Sequence, residues 1–94
     1  MEYEWDANKE RTNVRKHGIS FQAAIEIFAH SPFTFPDERR YYGEQRKISI
    51  GIMDDGITLA VVHTERGAKT RVISARPANR KERMIYYEFR KKKS

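Results

Sequence analysis

The sequence predicts an α+β domain in which two N-terminal helices and one C-terminal helix pack against a small antiparallel sheet of about four strands. Between residues 46 and 77, short β-branched and apolar stretches are separated by turn signals, a pattern typical of hairpins. An apolar stripe with helical spacing precedes these strands, and a helix-capping signal follows them. Helices that flank consecutive strands, rather than alternating with them, indicate the α+β class.

The N-terminal third predicts a short strand followed by two helices. Residues 2–5, "EYEW", alternate polar and aromatic side chains as a strand does. Asp6 is a suitable N-cap for a helix over residues 7–17, and Gly18 suits the left-handed conformation that ends many helices. Ser20 is the predicted N-cap of the second helix, "FQAAIEIFAH". One face of that helix carries Phe21, Ala24, Ile25 and Phe28.

The middle of the chain predicts strands joined by tight turns. The segment "TFPD" fits only a sheet edge, because Pro36 has no backbone N–H to donate. The stretches "RKISIGIM" and "ITLAVVHT" flank the turn "DDG" and predict a hairpin, and "ERGAK" leads to a last strand, "TRVISARP". Asn79 and Glu82, three residues apart, predict a capping box at the start of the C-terminal helix.

Length and composition indicate one small domain. We assign residues 1–90 of the 94 to that domain and residues 91–94 to a basic tail. Cysteine is absent, which excludes disulfides and is typical of proteins from a reducing compartment. The N-terminus lacks a secretory signal pattern, and the longest apolar stretch, "ITLAVV", is far shorter than the ~20 residues that span a bilayer. We therefore expect a cytoplasmic protein with no membrane partner.

Positive charge is concentrated in the C-terminal third. The chain has 19 Lys and Arg and 13 Asp and Glu, a net charge of +6. Residues 1–65 hold 8 basic and 11 acidic groups, whereas residues 66–94 hold 11 basic and 2 acidic groups, a local net charge of +9. Because screening acts over ~10 Å, a polyanion responds to this segment more than to the total charge. The distribution favours a nucleic-acid partner.

No pattern for a metal or a cofactor is present, so we expect neither. His17, His30 and His63 are scattered along the chain, and the paired Asp54 and Asp55 lie in a turn, where Asp is favoured for its own backbone hydrogen bonds. No glycine-rich loop precedes a helix in a nucleotide-binding pattern, and no Ser lies in a nucleophile elbow.

The predicted C-terminal helix has a cationic side and an apolar side. Arginine donates two parallel hydrogen bonds to phosphate, and tyrosine stacks on unpaired bases. The same pattern also fits the solvated face of an ordinary surface helix, so both interpretations stay open. At 100° per residue, the cationic side carries Arg80, Arg83, Tyr87 and Arg90, and the apolar side carries Ile85, Tyr86 and Phe89.

The last two strands bring a histidine close to an arginine. Such a pair suits metal-free RNA cleavage, in which protons are transferred to and from oxygen atoms while phosphate charge is stabilised. A histidine at the end of a strand is also often only a packed residue. Alternation along the strands places His63 with Leu59 and Val61, and Arg71 with Ile73 and Ala75.

Four stretches of the sequence resemble a known family. The segments "WDANKERTNVRKHGISFQAA", "GEQRKISIG", "LAVVHTERG" and "RVISARPANRKER" resemble, in this order, the BrnT toxins of type II toxin–antitoxin modules. The resemblance extends from Trp5 to about Tyr86. It implies a RelE-like fold and an endoribonuclease that cleaves RNA and inhibits translation. It also implies neutralisation by a ribbon-helix-helix antitoxin similar to BrnA, and contact with operator DNA through the antitoxin complex.

The resemblance and the chemistry together suggest roles for nine residues. We expect Arg46 and Arg76 to stabilise phosphate charge and His17 to transfer protons, with His63 as the second candidate. The predicted RNA-binding residues are Lys16, Arg71, Arg80, Arg83 and Tyr87. The motif positions that match the family are Trp5, Lys16, His17, Arg46, Arg71, Arg76 and Arg80.

Two other functions fit the same residues. One is a non-catalytic nucleic-acid-binding or regulatory module that uses the same basic face. The other is an interaction protein whose basic face binds an acidic partner. Cleavage of RNA in the presence of a chelator separates the enzyme from both.

Overall fold

A computed structural model of the chain describes residues 2–39 and 41–93, which form one five-stranded sheet with helices on both faces. The α+β prediction is confirmed. The elements are β1 (Glu2–Trp5), α1 (Ala7–His17), α2 (Phe21–Ala24), a 3₁₀ segment (Ile25–Ala29), β2 (Phe33–Pro36), β3 (Lys47–Ile52), β4 (Thr58–Arg66), β5 (Lys69–Pro77) and α3 (Arg80–Lys93).

The sheet is mixed and has five strands, which corrects the prediction of about four antiparallel strands. Its order is β1-β5-β4-β3-β2, and β1 pairs in parallel with β5. The two hairpins that join β3, β4 and β5 are antiparallel, as their tight turns require. Their formation leaves the outer edge of β5 unpaired, and β1 covers it. The alternation of side chains predicts which face of a strand is buried but not which distant strand it joins. The strand containing Pro36 lies at the opposite edge, as predicted.

The predicted second helix changes its winding after one turn. The Ser20 hydroxyl accepts a hydrogen bond from the N–H of Ala23 at 3.1 Å and so caps α2, but the chain continues as a 3₁₀ segment. With three residues per turn, this winding aligns Ile27 with Phe21 and Ala24 on one face, and all three are fully buried. The segment lies so close to β3 that a Cβ on Gly51 would come within 2.8 Å of Ile27 Cβ.

Two apolar clusters cover the two faces of the sheet. One joins the α2 region to the strands and includes Phe21, Ile27, Leu59 and Val61, with Trp5 packed against it. The other lies under α3 and includes the predicted apolar face of β3 and Tyr86. On this second face, α3 packs over β3, whereas residues of β5 line a surface cavity.

A β-bulge in β5 changes which side chains share a face. Val62 pairs with Ser74, but His63 pairs with Val72, so Ile73 is an extra residue in β5. Ala75 therefore lies in the cluster beneath α2, whereas Ile73 packs in the cluster beneath α3. The prediction that Arg71, Ile73 and Ala75 share one face is wrong for Ala75, because the extra residue reverses the alternation.

The C-terminal helix begins at the predicted capping box and continues through residue 93. The N–H of Glu82 donates to Asn79 Oδ1 at 2.8 Å, and the N–H of Asn79 donates to Glu82 Oε1 at 2.9 Å. Residues 91–93 of the predicted tail are helical, and Ser94 lies outside the described residues. The predicted division of the helix faces needs correction, since Ile85 is exposed and Arg90 Nη1 donates to Tyr86 Oη at 2.9 Å. Within the described residues, no helix is long and apolar enough to cross a membrane.

Candidate nucleic-acid interface

Two adjoining cavities beside β5 form a groove lined by cations, here called the basic groove. The first, of about 120 Å³, is lined by Arg46, Arg66 and Arg71. The second, of about 330 Å³, is lined by residues of α1 and by Ser74 of β5. The cavities share Lys9 and Ile73, so they form one continuous surface. The cationic side chains of the groove are Lys9, Lys16, Arg46, Arg66 and Arg71.

Asn13 attaches α1 to the sheet and so fixes one wall of the groove. The strand β1 ends at the register of Val72, which leaves the next part of the β5 edge without a strand partner. There, Asn13 Oδ1 accepts a hydrogen bond from the N–H of Ala75 at 3.0 Å, and its Nδ2 donates to Ile19 O at 2.9 Å. The side chain is buried, and its bond to Ala75 gives this part of the β5 edge a partner that β1 does not provide.

Carboxylates orient the arginines of the groove. Glu44 accepts from Arg46 Nε at 3.1 Å and lies 3.5 Å from Arg66 Nη2, and Glu4 lies 3.7 Å from Arg71 Nε. Hydrogen bonds from Arg46 lower the pKa of Glu44, so this carboxylate stays charged. A guanidinium has five N–H donors, and these contacts use only some of them. The remaining donors can form further hydrogen bonds, for which phosphate oxygens are suitable acceptors.

Arg76 lies on the same face of β5 as Arg71 and is held by a carboxylate of α3. The partners of Arg71 and Arg76 on β4 are four residues apart, which corresponds to about 13 Å along the strands. Arg76 Nη1 and Nη2 donate to the two oxygens of Glu82 at 2.7 and 2.8 Å. This pairing lowers the pKa of Glu82 and raises that of Arg76, and the positive charge of Arg39 lowers the pKa of Glu82 further.

His17 lines the basic groove, whereas His63 lies elsewhere. His17 and Lys16 are at the end of α1 and line the second cavity. His63 is only 4% exposed, packs edge-on against Phe28 and shares a 2.7 Å hydrogen bond with the hydroxyl of Ser49. Burial lowers the pKa of His63. Although Ser49, His63 and nearby Glu65 have the residue types of a catalytic triad, Ser49 is fully buried and cannot meet a substrate.

The predicted RNA-binding residues of α3 do not line the groove. Arg83 donates to the carbonyl of Ala78 at 2.7 Å, and Tyr87 is exposed, with the ammonium of Lys91 near its ring. Arg80 is exposed at the first turn of α3. The structure thus places Lys16 and His17 in the second cavity of the groove and Arg46 and Arg71 in the first. The other predicted site residues line neither cavity: His63, Arg76, Arg80, Arg83 and Tyr87.

Several groove residues escaped sequence reasoning. Lys9 and Arg66 lie within the segments that resemble the family but were given no role, and the packing of α1 against β5 brings Lys9 to the site. The pairing of Glu4, Glu44 and Glu82 with arginines depends on tertiary contacts, and net charge alone does not indicate it. Glu44 and Arg46 are two residues apart before a strand, a local spacing that hints at their pairing.

Within the described ranges, no group of three or more His, Asp or Glu side chains is arranged to hold a metal ion.

Residues 5–82 match the family model described as "Ribonuclease toxin, BrnT, of type II toxin-antitoxin system". The chain belongs to the BrnT toxin family.

A solved structure supports the BrnT assignment. The crystal structure of the Brucella abortus ribonuclease toxin BrnT is 33% identical in sequence and superposes with a TM-score of 0.70. The match covers 85% of this chain and 99% of that one. A comparison with curated protein sequences gives no match. Membership in the BrnT family implies a ribonuclease toxin with RNA as its substrate and an antitoxin as its partner.

Proposed function

We propose that this BrnT family member is a metal-independent endoribonuclease that inhibits translation by cleaving RNA in the basic groove. The observation that carries the proposal is the groove itself, where guanidinium groups from β4, from β5 and from the residue before β3 line one cavity and a histidine of α1 lines the adjoining cavity. The alternative functions, a binding module and an interaction protein, explain the charge but do not require a proton-transfer group. The proposal includes the RelE-like fold class and a cytoplasmic location.

The proposed chemistry needs three events at one phosphate. A base removes the proton of the 2′-hydroxyl, that oxygen attacks phosphorus, and the departing 5′-oxygen gains a proton. Arg46 and Arg71 have free N–H donors to stabilise the charge that develops on the phosphate oxygens. His17 is the imidazole of the groove and is the proposed proton-transfer group. Arg76 extends the phosphate path along β5 once RNA competes with Glu82.

The proposed protein partner is a ribbon-helix-helix antitoxin similar to BrnA. A partner that places its own carboxylates in the basic groove would displace RNA and neutralise the toxin. Through the DNA-binding domain of that antitoxin, the complex would contact operator DNA. RNA and antitoxin are therefore expected to compete for binding.

Substitution of Arg71 tests the proposed site. We expect Arg71→Gln to slow cleavage of labelled RNA in EDTA by about 100-fold or more, the typical effect of losing one donor to a developing oxyanion. The control is Arg15→Gln, an exposed arginine of α1 that lines neither cavity, and it should cleave at the wild-type rate. Equal melting temperatures would confirm that both variants fold.

Two results would contradict the proposal. Full activity in both Arg71→Gln and Arg46→Gln would place catalysis outside the basic groove. Wild-type protein that retards RNA on a gel without cleaving it, with or without added divalent metal, would favour the binding module instead.

A further inference from the structure

The loop between β2 and β3 is held in place from both of its ends. The N–H of Asp37 donates to the carbonyl of Arg46 at 2.8 Å and closes the base of the loop. The buried Asp37 carboxylate accepts from Nε and Nη2 of Arg39 at 2.8 and 2.9 Å. Toward the other end, Glu44 accepts from Arg46 at 3.1 Å.

Two adjacent tyrosines of this loop have different environments. The guanidinium carbon of Arg46 lies 4.1 Å from the centre of the Tyr42 ring, and Tyr42 is half-buried. The Tyr41 side chain is 91% exposed, the largest exposure among the exposed large hydrophobic residues of the described chain. Its aromatic face is therefore available to a ligand.

The cavity beside Tyr41 adjoins the basic groove. It has a volume of about 530 Å³, within the ~300–1,000 Å³ that is usual for small-molecule sites. Both tyrosines line it, and Glu38 and Gln45 place an exposed carboxylate and an exposed amide at its rim. Glu44 and Arg46 line both this cavity and the cationic cavity of the groove. A phosphate bound at Arg46 would therefore bring its own nucleoside to the mouth of the Tyr41 cavity.

We infer that this cavity is a nucleobase subsite in which one unpaired base of the RNA stacks on Tyr41. The inference rests on the proposed function for the identity of the polymer. Every base has a π-face, so the stack needs no particular sequence, but a base within a duplex cannot leave its neighbours to occupy the cavity. Gln45 and Glu38 offer a donor and acceptors to the edge of the base. The subsite makes the protein selective for single-stranded RNA.

The test measures binding of a fluorescent single-stranded RNA whose 2′-hydroxyls are methylated, so that it cannot be cleaved. Tyr41→Ala should weaken binding about 5- to 150-fold, the range expected for loss of one base–aromatic stack. Tyr41→Phe keeps the ring and should bind like wild type. The control is Tyr87→Ala, an exposed tyrosine on α3 outside the groove, which should leave binding unchanged.

An abasic scan separates stacking from a general effect on binding. One nucleotide at a time is replaced by an abasic residue, and at one position the difference between wild type and Tyr41→Ala should disappear. A difference that persists at every position, or Tyr41→Ala binding as tightly as wild type, would overturn the subsite. Because the RNA is not cleaved, these results do not depend on catalysis. Loss of cleavage in Arg71→Gln with an unaltered Tyr41→Ala would refute the subsite and leave the ribonuclease proposal intact.

Discussion

Single carboxylates determine how the cationic residues of this BrnT family member are oriented. Arg46, Arg71 and Arg76 each face one glutamate, so the arginines of the site are fixed rather than free. Glu82 combines two roles, since it holds Arg76 with both oxygens and also accepts the N–H of Asn79 at the start of α3. Glu82 thus connects Arg76 of the last strand to the start of α3.

Glu82 should make stability depend on pH in the acid range. Hydrogen bonds from Arg76 lower its pKa below the ordinary value of 4.5. A carboxyl whose pKa is lower when folded stabilises the protein at pH values above its unfolded pKa, and that contribution is lost as the pH falls through the folded value. We expect Glu82→Gln to be less stable than wild type by about 1 kcal/mol at pH 7 and the difference to shrink below pH 4.5.

Urea denaturation at several pH values measures this difference. Glu88→Gln is the matched control, because Glu88 is an exposed carboxylate of the same helix and should show little effect. A constant difference between wild type and Glu82→Gln from pH 7 to pH 3 would contradict the assigned role.

At the scale of elements, the wall of the basic groove depends on how α1 meets β5. The helix carries few apolar side chains toward the sheet, and Asn13 is its only buried residue. The polar side chain therefore attaches the helix where apolar packing is weak. The β-bulge acts at the same level, because it turns Ile73 and Ser74 toward the groove while Ala75 remains in the core.

Removal of the Asn13 amide should destabilise the protein and disturb the groove. Asn13→Ala leaves the N–H of Ala75 and the carbonyl of Ile19 without partners, at a cost of ~1–3 kcal/mol for each buried group. We expect a total loss of about 2–6 kcal/mol in urea denaturation, together with weaker RNA binding. Asn8→Ala, at an exposed position of the same helix, should cost well under 1 kcal/mol. Equal stability of the two variants would show that Asn13 does not attach α1.

At the scale of the whole molecule, the excess positive charge is distributed over two surfaces. The groove gathers cations from α1, from the residue before β3 and from β4 and β5, whereas α3 displays its own cations in solvent. The total charge of +6 does not show which surface binds RNA. The salt dependence of binding does, because each phosphate neutralised on a single strand contributes a log–log slope of about −0.7.

Binding of single-stranded RNA should weaken with salt in proportion to the groove cations that contact phosphate. Arg71→Gln should reduce the magnitude of the log–log slope by about 0.7, since one phosphate contact is lost. Arg80→Gln removes the same charge from the exposed first turn of α3 and should leave the slope unchanged. Fluorescence anisotropy across a salt series measures both slopes. An equal decrease in the two variants would mean that RNA responds to net charge rather than to the groove.

The sequence by itself determined the helix caps, the tight turn and the edge strand. Asp6, Gly18, Asn79 and Glu82 specify helix ends through local hydrogen bonds and backbone conformations, and the structure confirms each of them. The turn "DDG" and the single proline of the edge strand likewise act within a few residues. Local signals of this kind can be predicted from the sequence, because the residues that interact are close together in the chain.

Only the tertiary structure decided which charged residues meet. Lys9 and Arg71 are far apart in sequence but line one cavity. His63, which the sequence predicts to lie close to Arg71, is buried on the other face of the sheet. The parallel pairing of β1 with β5 and the extra residue at Ile73 set these positions. Both depend on contacts between distant segments, and the period of two along a strand carries no information about a distant partner or an inserted residue.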